Sequence, residues 1–397
     1  MSKNILIVGA GLGGLTAAAV LLERGHRVRV LERSHELGEI GAGIQLSANA
    51  THVLNALGLG EALQNLAVTP SSFRFKLHDS GELLYELALG DLHRQRFGAS
   101  YYHIHRADLH GLLVAKVREL DATAITLDSE VIGFDENDHR VQLRFADGSH
   151  REGDLLIGAD GINSVIRRQI LGPDEAEFTG YVAWRGVVPR ERLPADYMDK
   201  VCTIWVGPGA HPVVYYLRRA ELLNFVGLVQ NDTWRDESWT VKDSWENLKA
   251  DFAGWHADVQ YMIDAMPKDQ CYRWALYNRP PVTGWSTGRA TLLGDAAHPT
   301  LPFMASGAAM AIEDGVILAR ALEQTDSVAA ALELYQSNRF ERTARVQTGS
   351  NDMATLYKSS TEAELRRAFE DFTLHEKRNQ WLYGYNALSV PLLDTNH

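Results

Sequence analysis

The chain has 397 residues, 45% hydrophobic and 23% charged, which is ordinary globular usage and excludes disordered, collagen-like and coiled-coil classes. With 51 acidic against 39 basic residues the formal net charge is −12, so a nucleic-acid polymer has no overall electrostatic attraction to it. The two cysteines, Cys202 and Cys271, are too few for a disulfide framework or a zinc site, which points to a reducing, cytoplasmic compartment and no metal. Asn4 to Val8 reads as a buried strand, and Leu15 to Arg24 as an apolar, alanine-rich helix. Between them stand Gly9, Gly11, Gly13 and Gly14, which explain the uncharged run from Ile5 to Leu22 better than a signal peptide or membrane span does.

Arg27 to Glu32 makes a second strand, completing a strand, glycine turn, helix and strand of the kind that binds dinucleotides. Gly9 permits the tight turn, Gly11 lets the backbone approach a pyrophosphate, and Gly14 allows helix to pack closely on strand. The helix N-terminus then faces the negative charge, and Glu32 ends the second strand where a carboxylate can accept hydrogen bonds from a ribose.

Ser47 is placed to cap a helix running to about Leu57. Phe73 to His78 and Leu83 to Leu87 read as a hairpin around Ser80-Gly81, and Ala107 to Glu119 as a helix. Strands follow at Thr123 to Leu127, Glu130 to Asp135, Arg140 to Phe145 and Leu155 to Gly158, with Asp147-Gly148 as a turn. Tyr181 to Val229 is strand-like and rich in Tyr, Trp and Val. Helices are predicted at Ser244 to Phe252 and Val259 to Met266, a strand at Ala290 to Leu293, and helices again from Gly307 to Leu322, Ala329 to Val346 and Glu362 to Glu370.

The fold class is therefore α/β: a Rossmann-like nucleotide-binding domain made of separated segments, with an inserted β-sheet domain for substrate and a helical C-terminal region. The nucleotide domain takes residues 1–72, 101–177 and 277–325. Residues 73–100 supply a hairpin and 178–276 a sheet to the substrate domain, and 326–397 form the helical tail.

Two more motifs join the opening glycines. One is Gly158-Ala159-Asp160-Gly161-Ile162-Asn163-Ser164-Val165-Ile166-Arg167; the other is Leu293-Gly294-Asp295-Ala296-Ala297-His298-Pro299, followed by Gly307-Ala308. In both, an Asp follows a buried strand and precedes a helix start, which suits hydrogen bonding to ribitol or pyrophosphate and capping of backbone N–H groups. This set, from Gly9 to about Asp314, resembles the group A flavoprotein aromatic hydroxylases. The resemblance implies non-covalent FAD, with NADH or NADPH as transient co-substrate, and hydroxylation of a small phenolic aromatic acid by O2 through a flavin hydroperoxide. It assigns Gly9, Gly11, Gly14, Glu32 and Arg33 to the adenosine-pyrophosphate half, Arg106 to the flavin or pyrophosphate, and Asp295 to the ribityl chain. It reads Asp160-Gly161 as touching both FAD and the nicotinamide nucleotide, and Gly307 and Ala308 as starting the helix that faces the isoalloxazine. A homodimer is the family-level expectation.

Strand alternation in Gly207-Pro208-Gly209-Ala210-His211-Pro212-Val213-Val214-Tyr215 puts His211, Val213 and Tyr215 on one face. The segment resembles the substrate-facing strand of the 3-hydroxybenzoate and 6-hydroxynicotinate enzymes. That resemblance makes His211 the base or phenolate stabiliser and Tyr215 a hydrogen-bond donor to substrate; a half-buried sheet histidine with an aromatic neighbour is the alternative. Gln45, Val213, Pro302 and Phe303 complete the expected substrate pocket. The sequence departs from its relatives at Gln45, where the hydroxynicotinate enzyme has His, and at Thr300 to Ser306, which lacks their Gln or His; Phe303 can only pack or stack. The nearest resemblance is to 3-hydroxybenzoate 6-hydroxylase, with salicylate 1-hydroxylase and hydroxypyridine-carboxylate hydroxylases as alternatives. An NADH oxidase-type flavoprotein or a non-catalytic flavin-binding regulator is the alternative from another class; the missing CxxC pair and second glycine fingerprint count against a reductase. His298 reads as a brace for its loop, Trp184-Arg185 as core packing with cofactor contact as the alternative, Arg218 and Arg219 as solvated surface arginines with guidance of an anionic nicotinamide nucleotide or an aromatic carboxylate as the alternative, and Trp381 to Tyr385 as an aromatic packing patch.

Overall fold

The computed structural model describes residues 1–38, 43–174, 176–238, 240–359, 361–370 and 372–393. A parallel sheet runs in the order Ala290–Leu292, Leu155–Gly158, Asn4–Val8, Arg27–Leu31, Ile125–Thr126. Its central strand carries Ile5, Leu6 and Ile7, all buried, as a strand covered on both faces requires. The helix Leu12–Glu23 packs beside it and begins three residues earlier than the sequence suggests, so Gly13 and Gly14 are helical. Glycine's low helix propensity is overridden there by proximity: a Cβ at Gly14 would lie 2.2 Å from the Gly9 carbonyl oxygen. A second helix, Gly307–Gln324, lies against the first, where Gly315 meets the Ala17 backbone.

The larger sheet has seven strands in the order Tyr272–Asn278, Glu177–Pro189, Leu222–Gln230, Ala210–Leu217, Cys202–Val206, Ser72–Leu77, Leu83–Ala88. All neighbours are antiparallel except Cys202–Val206 with Ser72–Leu77. One face is sealed by the helices Trp245–Asp251 and Ala257–Ala265, whose Leu248, Val259, Met262 and Ile263 pack with Trp184 and Phe225. The other face, carrying His211, Val213 and Tyr215, looks toward the parallel sheet across a cavity. A three-stranded meander of Val131–Glu136, Val141–Phe145 and His150–Gly153 shares no strand pairing with either sheet, and its Phe134, Val141 and Leu143 pack into the core of the parallel one.

Several elements lie outside the sequence expectations. Gly43–Leu46 pairs with Tyr102–His105, and the helices Gly60–Leu66, Gly90–Phe97 and Phe372–Tyr383 are additional. Gly41 and Ala42, which precede the first of these, lie outside the described residues. Ser47 occupies the N-cap position of Ala48–Ala56, but its hydroxyl bonds the Asn49 side chain instead of a backbone N–H. The helix expected to end at Val346 continues to Ser359. Its polar stretch breaks the apolar periodicity because it faces the loop after Pro299: Gln347 donates to the Pro299 carbonyl at 2.9 Å, and Thr300 donates to Ser350 at 3.2 Å.

Candidate active site

The three sequence motifs converge on one cavity of about 440 Å³, a size usual for small-molecule sites. Gly9 has φ +104° and no room for a side chain, since a Cβ would lie 2.4 Å from the Ala159 carbonyl oxygen. Gly11 differs: its Cβ position faces open space, so backbone is bare toward the cavity at the N-terminus of Leu12–Glu23. That combination of exposed backbone and unmet helix N–H groups is what a pyrophosphate requires. Gly13 packs against Leu293 of the third motif, joining the two loops. Glu32 accepts hydrogen bonds from Ala10 N at 2.9 Å and Ser34 N at 3.0 Å. Its carboxylate thus holds the end of the second strand to the glycine turn, a brace that the ribose reading did not anticipate. Arg33 is exposed and does not line the cavity.

Asp160 also turns inward to the protein. One carboxylate oxygen accepts from Ser164 Oγ and the other from Val165 N at 2.8 Å, so it caps the helix Val165–Leu171 while Gly161 faces the cavity. Burial raises its pKa despite those donors. Asp295 and Arg106 both line the cavity. Asp295 is accessible from the cavity, yet the protein around that recess displaces enough water from its carboxyl to raise the pKa, and the positive charge of Arg106 opposes that rise. Gly307 and Ala308 open their helix toward the same space, with the Ser306 hydroxyl turned away to the Met304 carbonyl. The Gly294 to His298 loop is fixed from behind: Asp314 accepts from Gly294 N at 2.9 Å and pairs with His298 at 2.7 Å. His298 is therefore a brace, as the sequence suggested, and Arg167 adds donors to the Ala296 and Ala297 carbonyls.

At the far end, His211, Val213 and Tyr215 form one wall, with Gln45, Pro302 and Phe303 around them. His211 is 2% exposed, stacks on Tyr357 at 4.1 Å, and leaves Nδ1 without a hydrogen-bond partner. Burial pulls its pKa down to about 3, so the imidazole is uncharged near neutrality. Burial also pushes the Tyr215 hydroxyl above its ordinary range, which keeps it a proton donor. The Tyr215 ring packs 4.3 Å from that of His103 and fills the space that a side chain at Gly43 would need. Gln45 is engaged, accepting from the Tyr101 hydroxyl at 2.7 Å and reaching the Cys202 sulfur at 3.8 Å. Phe303 meets Tyr181 edge to face, lies tilted against His211 and is near-parallel to Tyr357.

The sequence reading missed the wall contributed by the C-terminal region. Met353, Tyr357, Arg378, Asn379, Leu382 and Tyr383 line the cavity. Leu382 and Tyr383, within the packing patch that the sequence predicts, do pack, but against the site. Trp184 is fully buried core, and Arg218 forms a two-pronged pair with Asp108. Among the described residues no group of His, Cys, Asp and Glu could hold a metal ion, and no helix is long and apolar enough to cross a membrane.

A glycine-and-helix cradle, two further helix starts and a secluded aromatic pocket define a flavoprotein that works on a small molecule. The family described as "FAD binding domain" matches residues 2–350. The chain is 40% identical over 391 residues to the 3-hydroxybenzoate 6-hydroxylase of Polaromonas naphthalenivorans (strain CJ2), covering 96% of each. It is 36% identical over 397 residues to the 6-hydroxynicotinate 3-monooxygenase of Pseudomonas fluorescens, covering 99% of this chain and 97% of the relative. Among solved structures, HpxO of Klebsiella pneumoniae with FAD and uric acid superposes with a TM-score of 0.83 at 27% identity, covering 98% of this chain and 97% of that one. A salicylate hydroxylase substrate complex does so at 0.82 and 26%, covering 97% and 96%. The chain belongs to this FAD-binding family, among its flavin-dependent aromatic-ring monooxygenases.

Proposed function

We propose that the protein hydroxylates a small phenolic aromatic acid with O2 and NADH or NADPH, and that 3-hydroxybenzoate is its first-choice substrate. The observation that carries this is the wall of His211, Val213 and Tyr215 facing a cavity continuous with the glycine cradle. FAD bound in that cradle supplies reductively activated oxygen. The protein's share is positioning and exclusion of water. Uncharged His211 accepts a hydrogen bond from the ring hydroxyl, which enriches the ring carbons in electron density, while protonated Tyr215 donates to a substituent. Phe303, Tyr357 and Leu382 line the space in which water would otherwise quench the activated oxygen. The FAD role of Glu32, Arg33, Arg106, Asp160 and Asp295 and the division into interleaved FAD-binding and substrate segments belong to the same reading. Activity in the cytoplasm fits two cysteines that are both free and buried.

The test is NADH and NADPH consumption by the FAD-loaded protein with 3-hydroxybenzoate, salicylate and 6-hydroxynicotinate, with products identified by mass and chromatography. Stimulated consumption with a matching hydroxylated product is expected. No stimulation by any hydroxylated acid overturns the reading. His211→Ala is expected to retain FAD and lose about 10²-fold in coupled hydroxylation, the lower end of general-base contributions; an unchanged ratio of product to NADH removes His211 from the mechanism.

A further inference from the structure

We propose that Arg378 and Asn379, on the C-terminal helix Phe372–Tyr383, form the seat for the substrate's carboxylate, an inference that rests on the aromatic-acid reading above. Among the described residues three charged side chains line the cavity: Arg106, Asp295 and Arg378. The first two belong to the flavin end, where the positive charge of Arg106 already acts on Asp295. Arg378 is the remaining cation, placed on the wall that the C-terminal region contributes. It donates to the Met353 sulfur at 3.7 Å, and no carboxylate pairs with it among the described residues. Its charge reaches Tyr85, Tyr357 and Tyr383, where it opposes the rise that burial gives each hydroxyl. Tyr357 is in turn the ring on which His211 stacks, so the cation stands one ring away from that histidine.

Asn379 supplies the second observation. It is 4% exposed and lines the cavity, and its Nδ2 has no hydrogen-bond partner. A buried amide donor without an acceptor costs free energy, and a ligand oxygen entering the cavity relieves that cost. A carboxylate satisfies both groups, because the guanidinium presents a planar fork and the amide a further donor to the same two oxygens. The seat is held in place from outside. Arg366 pairs with Glu82 at 2.6 Å, Arg96 with Glu376 at 2.8 Å, and Arg342 donates to the Leu382 carbonyl at 3.0 Å, tying the terminal helices to the hairpin turn, to the helix Gly90–Phe97 and to the long helix. Strand geometry sets the Cα atoms of His211 and Tyr215 roughly 13 Å apart, enough to bracket one substituted ring. Anchoring the carboxylate on a second element, opposite the strand that carries both His211 and Tyr215, fixes which ring carbon is presented for hydroxylation.

The test uses the oxidised holoenzyme without NADH, titrated with 3-hydroxybenzoate and with its uncharged isostere 3-hydroxybenzamide, and followed by flavin absorbance. Arg378→Gln is expected to weaken the acid tenfold or more and leave the amide unchanged, with Arg378→Lys recovering part of the loss. Asn379→Asp, which opposes a negative charge to the ligand's, is expected to weaken the acid at least as much and again spare the amide. If Arg378→Gln does not retain FAD, the Asn379→Asp holoenzyme decides in the same way. Equal weakening of acid and amide means that the helix matters only for packing and overturns the proposal, as does wild-type affinity in both variants. Those two results leave the aromatic-acid function standing as long as the wild type hydroxylates an acid. A wild type that neither binds nor hydroxylates any acid of the panel takes both readings down.

Discussion

Gly14 shows how little freedom a single position has in this site. Its absent side chain is what allows Leu12–Glu23 to start against the Gly9 carbonyl, 2.2 Å from where a Cβ would stand. Nothing flexible is available to give way, because the obstacle is backbone. Gly14→Ala is therefore expected to push the helix off the turn and displace the N–H groups that receive the pyrophosphate, raising the FAD dissociation constant tenfold or more. Titration of the apoprotein with FAD measures this, and an unchanged dissociation constant refutes the role. Gly11→Ala tests something different: space is free beside Gly11 in the protein alone, so any loss of affinity there comes from collision with the cofactor. The roles of Gly9 and Gly14 were legible in the sequence because a backbone constraint is local and only glycine relieves it. The capping bond of Asp160 was legible too, because an Asp between a buried strand and a helix start has backbone N–H groups within reach, but the bracing bonds of Glu32 were not. A carboxylate at a strand end serves equally to accept from a ligand or from a neighbouring loop, and only the three-dimensional proximity of Ala10 N shows that Glu32 also braces the turn.

Among the elements, the two helices Gly307–Gln324 and Val328–Ser359 carry a buried ionic cluster that sets the shape of the flavin loop. Arg339 pairs with Asp314 at 2.6 Å and Glu313 at 2.8 Å, and Arg342 pairs with Glu313 at 2.7 Å, all essentially without exposure. Burial alone would raise the Asp314 pKa, but His298 and Arg339 together bring it down to about 2. Removing one partner strands the others in a dry interior, which costs about 3–5 kcal/mol. Arg339→Met is accordingly expected to lower the thermal midpoint by several degrees and to loosen the Gly294 to His298 loop, seen as weaker FAD retention. A lowered midpoint with unaltered FAD affinity would separate the cluster's folding role from any role in shaping the site. Helix Gly307–Gln324 itself was legible from its periodicity. The continuation of the next helix past Val346 was not, because Gln347 and Ser350 are polar for the sake of the loop they serve, and the terminal helix at Phe372–Tyr383 gave no capping or periodic signal of its own.

On the scale of the whole molecule, the same burial that makes the cavity suitable for oxygen chemistry makes the protein sensitive to acid. His93, His103 and His211 are each at most 3% exposed, and burial lowers their pKa values to about 4, 3 and 3. In the unfolded chain each returns to about 6.5. Between those values the unfolded state binds more protons than the folded one, so the stability these residues permit is complete above pH 6.5 and is lost as pH falls toward 3. The limiting slope for three such groups is about 4 kcal/mol per pH unit. Asp160 acts in the opposite sense, since burial raises its pKa and the folded state takes up its proton first. Asp314 adds to the loss only below the ordinary carboxylate range. The urea midpoint of the FAD-saturated protein is thus expected to change little from pH 8 to 7 and to fall steeply from 6.5 to 5. His93→Phe tests the origin of that fall, because His93 sits among Phe97, Tyr101 and Tyr383, where a phenyl ring finds similar neighbours. The variant should lose about a third of the slope, and an undiminished slope would show that the acid sensitivity comes from groups other than these buried imidazoles.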